Sequence, residues 1–416
     1  MPDSNNGFDG TRVLADLNAL RSIGAYKTGV HKPTLSEPHI RSLDWLAQRL
    51  PEAGLTATID GIGNIVGRST KAGPKLLAGS HLESQNHAGW LDGPLGVIYA
   101  LEAARVINAD PDMAGAVEVA AWCDEEGHFG QFLGSRSFAG AVAEAEIDAA
   151  RDRSSDRTLR QALGDAGLAG RPRLHAEPGR HIGYLEAHIE QGETLESRGL
   201  KIGVVTSIVG IWQYRITFIG AQNHAGTTRM AIRRDAGLAL ARFCVAIDDS
   251  FPALCGPRTV WTTGRITLDP GAPSIIPGRA EMLFQIRDDD PGVIERLEAH
   301  LRRMAADVTA QGRCSVDVER IRTGAPALMN AAFQDAIEAA AATRAGGKSI
   351  RMPSGAGHDA QVLATIMPAA MLFVPSIGGI SHHWSENTDD ADIVTGAAVF
   401  VDTCRRLLMQ GSMPRR

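Results

Sequence analysis

No apolar run in the 416 residues approaches the length of about 20 that spans a bilayer. There is no block of lysine or arginine, and the net charge is −6. Neither a nucleic acid nor a membrane surface is therefore an expected partner. The first residues, Met1-Pro2-Asp3-Ser4-Asn5-Asn6-Gly7, are polar and lack the basic-then-apolar order of a secretory signal. The five cysteines, Cys123, Cys244, Cys255, Cys314 and Cys404, are scattered and odd in number, and no CxxC occurs. That excludes a disulfide framework and points to a reduced, cytoplasmic protein with cysteines in its core. No internal repeat or low-complexity tract is present.

What is present is globular. Hydrophobic residues make up 44% and charged residues 22%, as in soluble domains. The length exceeds one typical core, so two domains are expected. Helical spacing of apolar residues covers 8–22 and 37–50. Strands are predicted at Thr56–Ile59, Asn64–Gly67, Lys75–Ala78 and Ala116–Trp122, with a helix at Leu95–Ile107 between the last two. This strand–helix–strand repetition predicts an α/β fold. Residues 144–180 are charged and read as surface helix and loop. The chain from Val204 to Ile219 alternates as one β segment. Two further β segments (Val260–Leu268, Arg279–Arg287), a last strand at Cys314–Ile321 and two helices then fit a four-stranded antiparallel, ferredoxin-like insert. After about 325 the helix–strand alternation returns.

Polar residues gather where strands end. Gly79 and Ser80 are read as ending a strand, which puts His81 just beyond it. Asp92 follows at the mouth of a helix that has Pro94 in its first turn. Asp124-Glu125-Glu126 follows Trp122, and His188 lies on a short strand. Ser354-Gly355-Ala356-Gly357-His358-Asp359 and Ser381-His382-His383 close later loops. Ligands collect at the carboxyl ends of strands in open α/β sheets. His81 and Asp92 alone read equally well as a loop histidine and a helix-capping carboxylate. With Glu125, Glu126, His188, His358 and His382 or His383 they become a mixed N/O donor set. Three imidazoles and two carboxylates suffice for two divalent ions sharing one carboxylate, and suit Zn, Mn, Co or Ni better than Ca or Mg. Adjacent side chains at a strand end point opposite ways. One of Glu125 and Glu126 can therefore bind metal while the other takes a proton from water.

The blocks Gly79-Ser80-His81-Leu82-Glu83 with Asp92-Gly93, Asp124-Glu125-Glu126-Gly127, His188-Ile189-Glu190-Gln191-Gly192, His224-Ala225-Gly226-Thr227-Thr228 and Gly379-Ile380-Ser381-His382 occur in that order. In this the chain resembles the M20 metallopeptidase-like superfamily over roughly residues 10–410. More closely, it resembles the hydantoinase/carbamoylase branch of N-carbamoyl-L-amino acid hydrolases, β-ureidopropionases and allantoate amidohydrolases. The resemblance implies a mixed-sheet metallohydrolase catalytic domain with helices on both faces, formed by 1–208 and 326–416, and an inserted lid/dimerisation domain over 209–325. It implies two divalent ions (Zn, Mn, Co or Ni). His81 and His188 would hold the first, Glu126 and His382 the second, and Asp92 would bridge. His382 is preferred to His383 because the branch pattern places a glutamate, here Glu386, four residues after that histidine.

The same resemblance implies that Glu125 would be the general base and His224 the oxyanion donor, although His224 also reads as an ordinary loop histidine. Gln191 would contact the ureido or amide group, and Arg287 would grip the substrate carboxylate with its planar fork. Arg287 precedes Asp288-Asp289-Asp290 and also reads as a surface ion pair. For His358, beside Asp359, a part in orienting ligands or substrate stands next to plain support of its loop. Where the branch has Asp two residues after the first histidine, this chain has Glu83, expected to orient the His81 ring. Where it has Asn, the substrate-side position holds Ser274. The loop at His128 is one residue short and lacks an arginine, and Arg229 replaces a proline. The implied activity is hydrolysis of an N-carbamoyl amino acid to amino acid, CO2 and ammonia, by a homodimer acting on a small N-substituted amino acid. An amidase of another N-acyl amino acid or a dipeptide-like substrate is the alternative. A non-catalytic binding protein on the same scaffold is the third reading, opposed by the complete set of ligands and base.

Overall fold

The structure, a computed structural model, describes residues 7–411. The polar stretch before Gly7, read above as no signal, lies outside the described residues. Two compact units divide the chain. One runs to Thr206 and resumes over Leu328–Ser354 and from His358, and the other comprises Ser207–Ala327 with Gly355–Gly357.

The first unit is built on a mixed sheet. Seven of its nine strands run in the spatial order Ile202–Ile208, Ala369–Val374, His181–Ile189, Lys75–His81, Ala116–Trp122, Ile65–Arg68, Thr56–Ile59. The four strands from Ala369–Val374 to Ala116–Trp122 are mutually parallel, and the flanking ones run antiparallel. Lys75–His81 and Ala116–Trp122 are buried at every position. A strand buried at odd and even positions alike is covered on both faces. Helix Pro94–Asn108 packs on these two strands, and Asp359–Leu363 packs on Ala369–Val374 and His181–Ile189. A satellite core of Leu35, Ile62, Cys123, Leu133, Ile147, Leu159 and Leu163 takes in the apolar residues of the charged 144–180 stretch. Among the described residues, no helix is long and apolar enough to cross a membrane.

One expected boundary moves. The strand predicted to stop at Ala78 continues through His81. Gly79 is not a turn residue: a Cβ there would collide with the Ala120 carbonyl of the paired strand. Glycine inside a strand marks such a close approach.

The second unit follows the order strand, helix, two strands, helix, strand. Its sheet runs Val260–Asp269, Arg279–Asp288, Gly210–Ile219, Ser315–Gly324, antiparallel throughout. Tyr214, Ile216 and Phe218 alternate with less buried residues, as do Ala280, Met282, Phe284 and Ile286. These buried residues form one core with Leu240, Phe243 and Ile247 of helix Ala236–Ser250 and Ile294, Leu297 and Leu301 of helix Pro291–Ala310. A clean alternation of this kind belongs to a sheet covered on one face. The β run expected from Val204 to Ile219 is two strands: Ile202–Ile208 joins the first sheet, and Gly210–Ile219 joins the second. Both have β-forming composition, so periodicity alone does not show the change of sheet.

Candidate metal centre

The parallel strands end at one edge of the sheet, and the candidate ligands stand there. His81 is the last residue of Lys75–His81, and His188 is the penultimate residue of His181–Ile189. Glu125 and Glu126 follow Ala116–Trp122, and His382 lies in the loop after Ala369–Val374. Asp92 sits two residues before helix Pro94–Asn108, whose cap is Gly93. Gly93 has a φ of 86°, and a Cβ on it would lie 2.5 Å from the His81 ring. Glycine is required there because the chain turns left-handed against the imidazole.

Asp92 is the centre of the constellation. Its Oδ1 lies 2.9 Å from His188 Nε2 and 3.5 Å from His81 Nε2, and its Oδ2 lies 3.2 Å from His382 Nε2. Glu126 Oε2 is 3.7 Å from His382 Nε2, and Glu125 Oε2 is 3.7 Å from His81 Nε2. Two groups can hold a cation, His81–Asp92–His188 and Asp92–Glu126–His382, with donor atoms within 4.8 Å of one another in each. The rings are set for it. His81 Nδ1 faces the Glu83 carbonyl oxygen at 3.1 Å and His188 Nδ1 that of Ile189 at 2.9 Å. A ring that donates through Nδ1 offers the lone pair of Nε2 to a metal. This donor set fits a divalent transition metal.

The carboxylates and imidazoles hold one another's charge. Burial pushes Asp92 up, but hydrogen bonds from His188, His382 and His81 outweigh it and keep the carboxyl well below its usual range. The Asp92 hydrogen bond raises His382 to about 9 against burial. Burial lifts Glu125 well above the ordinary carboxylate range; Glu126, Asp359 and Asp92 add to this, and His81 opposes it.

Asp124, at a φ of 61°, shapes the loop that presents the two glutamates. Its Oδ1 accepts the His128 N–H (2.7 Å) and the Thr34 hydroxyl (2.7 Å), and its Oδ2 accepts the N–H groups of Phe129 (3.0 Å) and Gly130 (2.7 Å). Gln85 then holds Glu126: its backbone N–H reaches Oε1 at 3.1 Å and its amide reaches Oε2 at 2.7 Å. Arg153 in turn bonds the Gln85 side chain and the Glu126 carbonyl. Glu386 is buried and accepts the N–H groups of Leu91 (3.2 Å) and Asp92 (3.1 Å) and the Ser381 hydroxyl (3.1 Å). It thus ties the Asp92 loop to the His382 loop. Gln85 and Arg153 carry no motif and were not foreseen. Glu386 was visible as the residue four after His382.

The remaining expected contacts fall in three places. Gln191 is beside the ligands, its amide nitrogen 3.1 Å from Asp92 Oδ2 and 3.0 Å from Ser381 Oγ, while its Oε1 has no partner among the described residues. His358 is buried, with its ring centroid 4.6 Å from that of His188 and Nε2 3.0 Å from Ser354 Oγ. Glu83 orients His81 through its main-chain carbonyl; its carboxylate is 3.9 Å from the ring and accepts the Glu125 N–H instead. His224, Ser274 and Arg287 belong to the second unit. His224 is exposed, and its Nδ1 accepts the N–H groups of Gly226 and Thr227 at 3.0 and 3.2 Å, which leaves the neutral ring's proton on Nε2. Ser274 lies in the neighbouring segment, its carbonyl accepting the Ala225 N–H at 2.9 Å. Arg287 has no carboxylate partner among the described residues; it donates to the Gly355 carbonyl at 2.9 Å, and burial lowers its pKa. The neighbouring acids are engaged elsewhere: Asp288 with Thr259, Asp289 with Arg258, Asp290 as a helix cap.

A mixed sheet that gathers imidazoles and carboxylates around a shared aspartate, with a further carboxylate alongside, is the architecture of a metallohydrolase. The chain belongs to peptidase family M20/M25/M40, whose model matches residues 74–406. It is 33% identical over 410 residues to the N-carbamoyl-L-amino acid amidohydrolase of Geobacillus stearothermophilus, covering 96% of this chain and 99% of that protein. It is 32% identical over 371 residues to the allantoate amidohydrolase of Bacillus subtilis (85% and 87% covered). A solved amidase of the hydantoinase/carbamoylase family from Burkholderia phymatum superposes with a TM-score of 0.87 at 45% identity, covering 97% of this chain and 98% of that one.

Proposed function

We propose that the protein is a binuclear metal-dependent amidohydrolase that cleaves the ureido C–N bond of an N-carbamoyl amino acid. The observation that carries this reading is the pair of ligand groups sharing Asp92, with Glu125 outside both groups yet 3.7 Å from His81. His81, Asp92 and His188 would hold one divalent ion (Zn, Mn, Co or Ni) and Asp92, Glu126 and His382 a second. The chemistry these ions supply when bound is a lowered pKa for water and a polarised carbonyl.

The protein's own groups do the rest. Glu125 takes a proton from the attacking water as the water oxygen bonds to the ureido carbon. His224 Nε2–H donates to the oxyanion that develops on the carbonyl oxygen. Glu125 passes its proton to the amino acid nitrogen as the C–N bond breaks. The products are the free amino acid and carbamic acid, which falls apart to CO2 and ammonia. Arg287, with no carboxylate of its own, would take the substrate's carboxylate as a two-toothed pair. Gln191 Oε1, without a partner among the described residues, would accept from the ureido NH2, and Ser274 and His358 would serve the substrate side. The strand–helix–strand–strand–helix–strand unit would serve as a ferredoxin-like lid and dimerisation domain of a cytoplasmic homodimer. The likeness to an allantoate amidohydrolase makes allantoate, another linear ureide, the first alternative substrate.

Ammonia and free amino acid released by the purified protein test this. The protein is stripped, reloaded with Mn, Co, Ni or Zn, and offered N-carbamoyl, N-formyl and N-acetyl amino acids, allantoate and dipeptides. Equal amounts of both products from a carbamoyl substrate, abolished by EDTA, are expected. Amino acid without ammonia from an acyl substrate makes the protein an amidase instead. Silence on the whole panel with two metals bound rejects the reading.

A further inference from the structure

Two buried polar atoms, His39 Nε2 and Glu83 Oε2, have no hydrogen-bond partner among the described residues. They lie 3.6 Å apart, and both side chains are fully buried. His39 sits in the first turns of helix Glu37–Arg49. Its Nδ1 accepts the backbone N–H of Leu35 at 2.9 Å. An Nδ1 that accepts carries no proton, so the neutral ring keeps its proton on Nε2. The two orphans are therefore a donor and an acceptor facing each other, and a few tenths of an ångström close the bond. Buried polar groups are rarely left unpaired when a partner is that near.

The other oxygen of Glu83 is already engaged. Oε1 accepts the Glu125 backbone N–H at 2.6 Å. The His81 ring does not compete, because its Nδ1 faces the Glu83 main-chain oxygen at 3.1 Å and is 3.9 Å from the carboxylate. The Glu83 carboxylate thus stands between a helix histidine on one side and the main chain of Glu125 on the other.

We infer that His39 is a positioning residue: by donating to Glu83 Oε2 it fixes the carboxylate whose other oxygen holds the main chain of Glu125. The inference rests on the reading of Glu125 as the general base. His39 touches neither the ligands nor the substrate, and its effect passes through Glu83. The direction of the chain matters. Leu35 sets the ring, the ring sets Glu83, and Glu83 sets the residue whose carboxylate must meet the water.

Two substitutions separate this from a structural role. His39→Asn keeps an oxygen where Nδ1 was, so the Leu35 bond survives, but it removes the donor to Glu83. His39→Gln places an amide nitrogen near the position of Nε2 and keeps that donor. The first measurement is hydrogen exchange of the Glu125 amide in the full-length, metal-loaded protein. Exchange is expected to be faster in His39→Asn than in wild type and to return toward wild type in His39→Gln. The second is kinetic: kcat falls about tenfold in His39→Asn, the scale of a lost outer-shell partner, with KM and metal stoichiometry unchanged. His39→Gln recovers most of that loss. Unchanged Glu125 exchange in a folded His39→Asn overturns the inference, as does an equal loss in both variants. Exchange needs no turnover, so a wild type silent on every substrate defeats the amidohydrolase reading and leaves the exchange result to decide this one. Should His39→Asn not fold, Glu83→Asp draws the carboxylate back by one methylene and must release the Glu125 amide in the same way; if protection persists there, the inference is wrong.

Discussion

Of the charged and histidine side chains buried among the described residues, Asp288 alone belongs to the unit Ser207–Ala327. The others, from Asp16 to Asp392, belong to the unit that carries the ligands. The second unit keeps an apolar core and sets its charges on the open strand faces. There Glu281 takes Arg265 at 3.0 Å, Arg279 at 3.1 Å and Arg215 at 3.7 Å. Exposed pairs of this kind add little stability. Buried charges are costly unless satisfied. In the first unit many gather on Asp92 or on the loops that present its neighbours, while Asp16, Glu102 and Glu118 are met by arginines and Asp392 by Lys201. The difference teaches where prearrangement is built in. One unit holds a donor set that is buried except at His382, whose side chain is half exposed. On the proposed reading, the other would supply two groups, His224 from a short strand and Arg287 from a longer one. Substitutions in the first should strike chemistry or folding, and substitutions in the second should strike substrate handling with the fold intact.

The largest expected effect is that of Glu125→Gln. Glu125 belongs to neither ligand group, so metal content by plasma emission should stay at the wild-type stoichiometry. The kcat should fall by about 10³-fold, within the usual range for a lost general base. Retained turnover would mean that another group moves the proton. His224→Asn comes next. Asparagine can still accept the Gly226 and Thr227 N–H groups that Nδ1 holds now, but it lacks the Nε2 donor. A fall in kcat of about 10²-fold, with KM little changed and an unaltered melting curve, is expected of a missing oxyanion donor. An accompanying loss of stability would show that the second unit depends on this loop more than its exposure suggests. Arg287→Lys should raise KM about tenfold for a carboxylate-bearing substrate, because an ammonium loses the planar fork, and should spare kcat. An unchanged KM would remove Arg287 from substrate binding.

How much of this was legible depends on where each residue lies. His81, Asp92, Glu125, Glu126, His188 and His382 stand at strand ends, where apolar runs stop abruptly and polar residues have no packing reason to cluster. Gly79 misled, because a glycine in an apolar run is read as a turn until the neighbouring strand is seen to press on it. Val209 hides the passage between the two sheets, since both flanking strands share one composition. Gln85, Arg153 and His39 leave no local trace. Each acts through a partner at least 27 residues away, and only the fold makes them neighbours. The carboxylate of Glu83 was expected on the His81 ring. Its extra methylene carries it past the imidazole to the Glu125 N–H.

The smallest effect tests the burial of charge directly. Lys32 is 1% exposed, and its Nζ donates to the Leu20 carbonyl at 2.6 Å. Burial lowers its pKa from 10.5 to about 7. Between about pH 7 and 10.5 the unfolded chain therefore binds a proton at this site that the folded chain has given up. Stability rises with pH wherever the unfolded state holds more protons. The Lys32 contribution is thus most unfavourable below pH 7, improves through that window and levels off above it. From pH 7 to pH 8 the gain is ~1 kcal/mol, from a slope that approaches 1.36 kcal/mol per pH unit as the folded lysine loses its proton. Lys32→Met should remove this component while leaving kcat at its wild-type value, since the side chain meets no ligand. Urea titrations of both proteins at pH 7 and pH 8 measure it. Equal pH dependence in the two would show that the ammonium keeps its proton inside this unit and that the interior is more polar than its packing implies. Steeper dependence in the wild type would show that the ligand-bearing unit tolerates a buried cation only by discharging it.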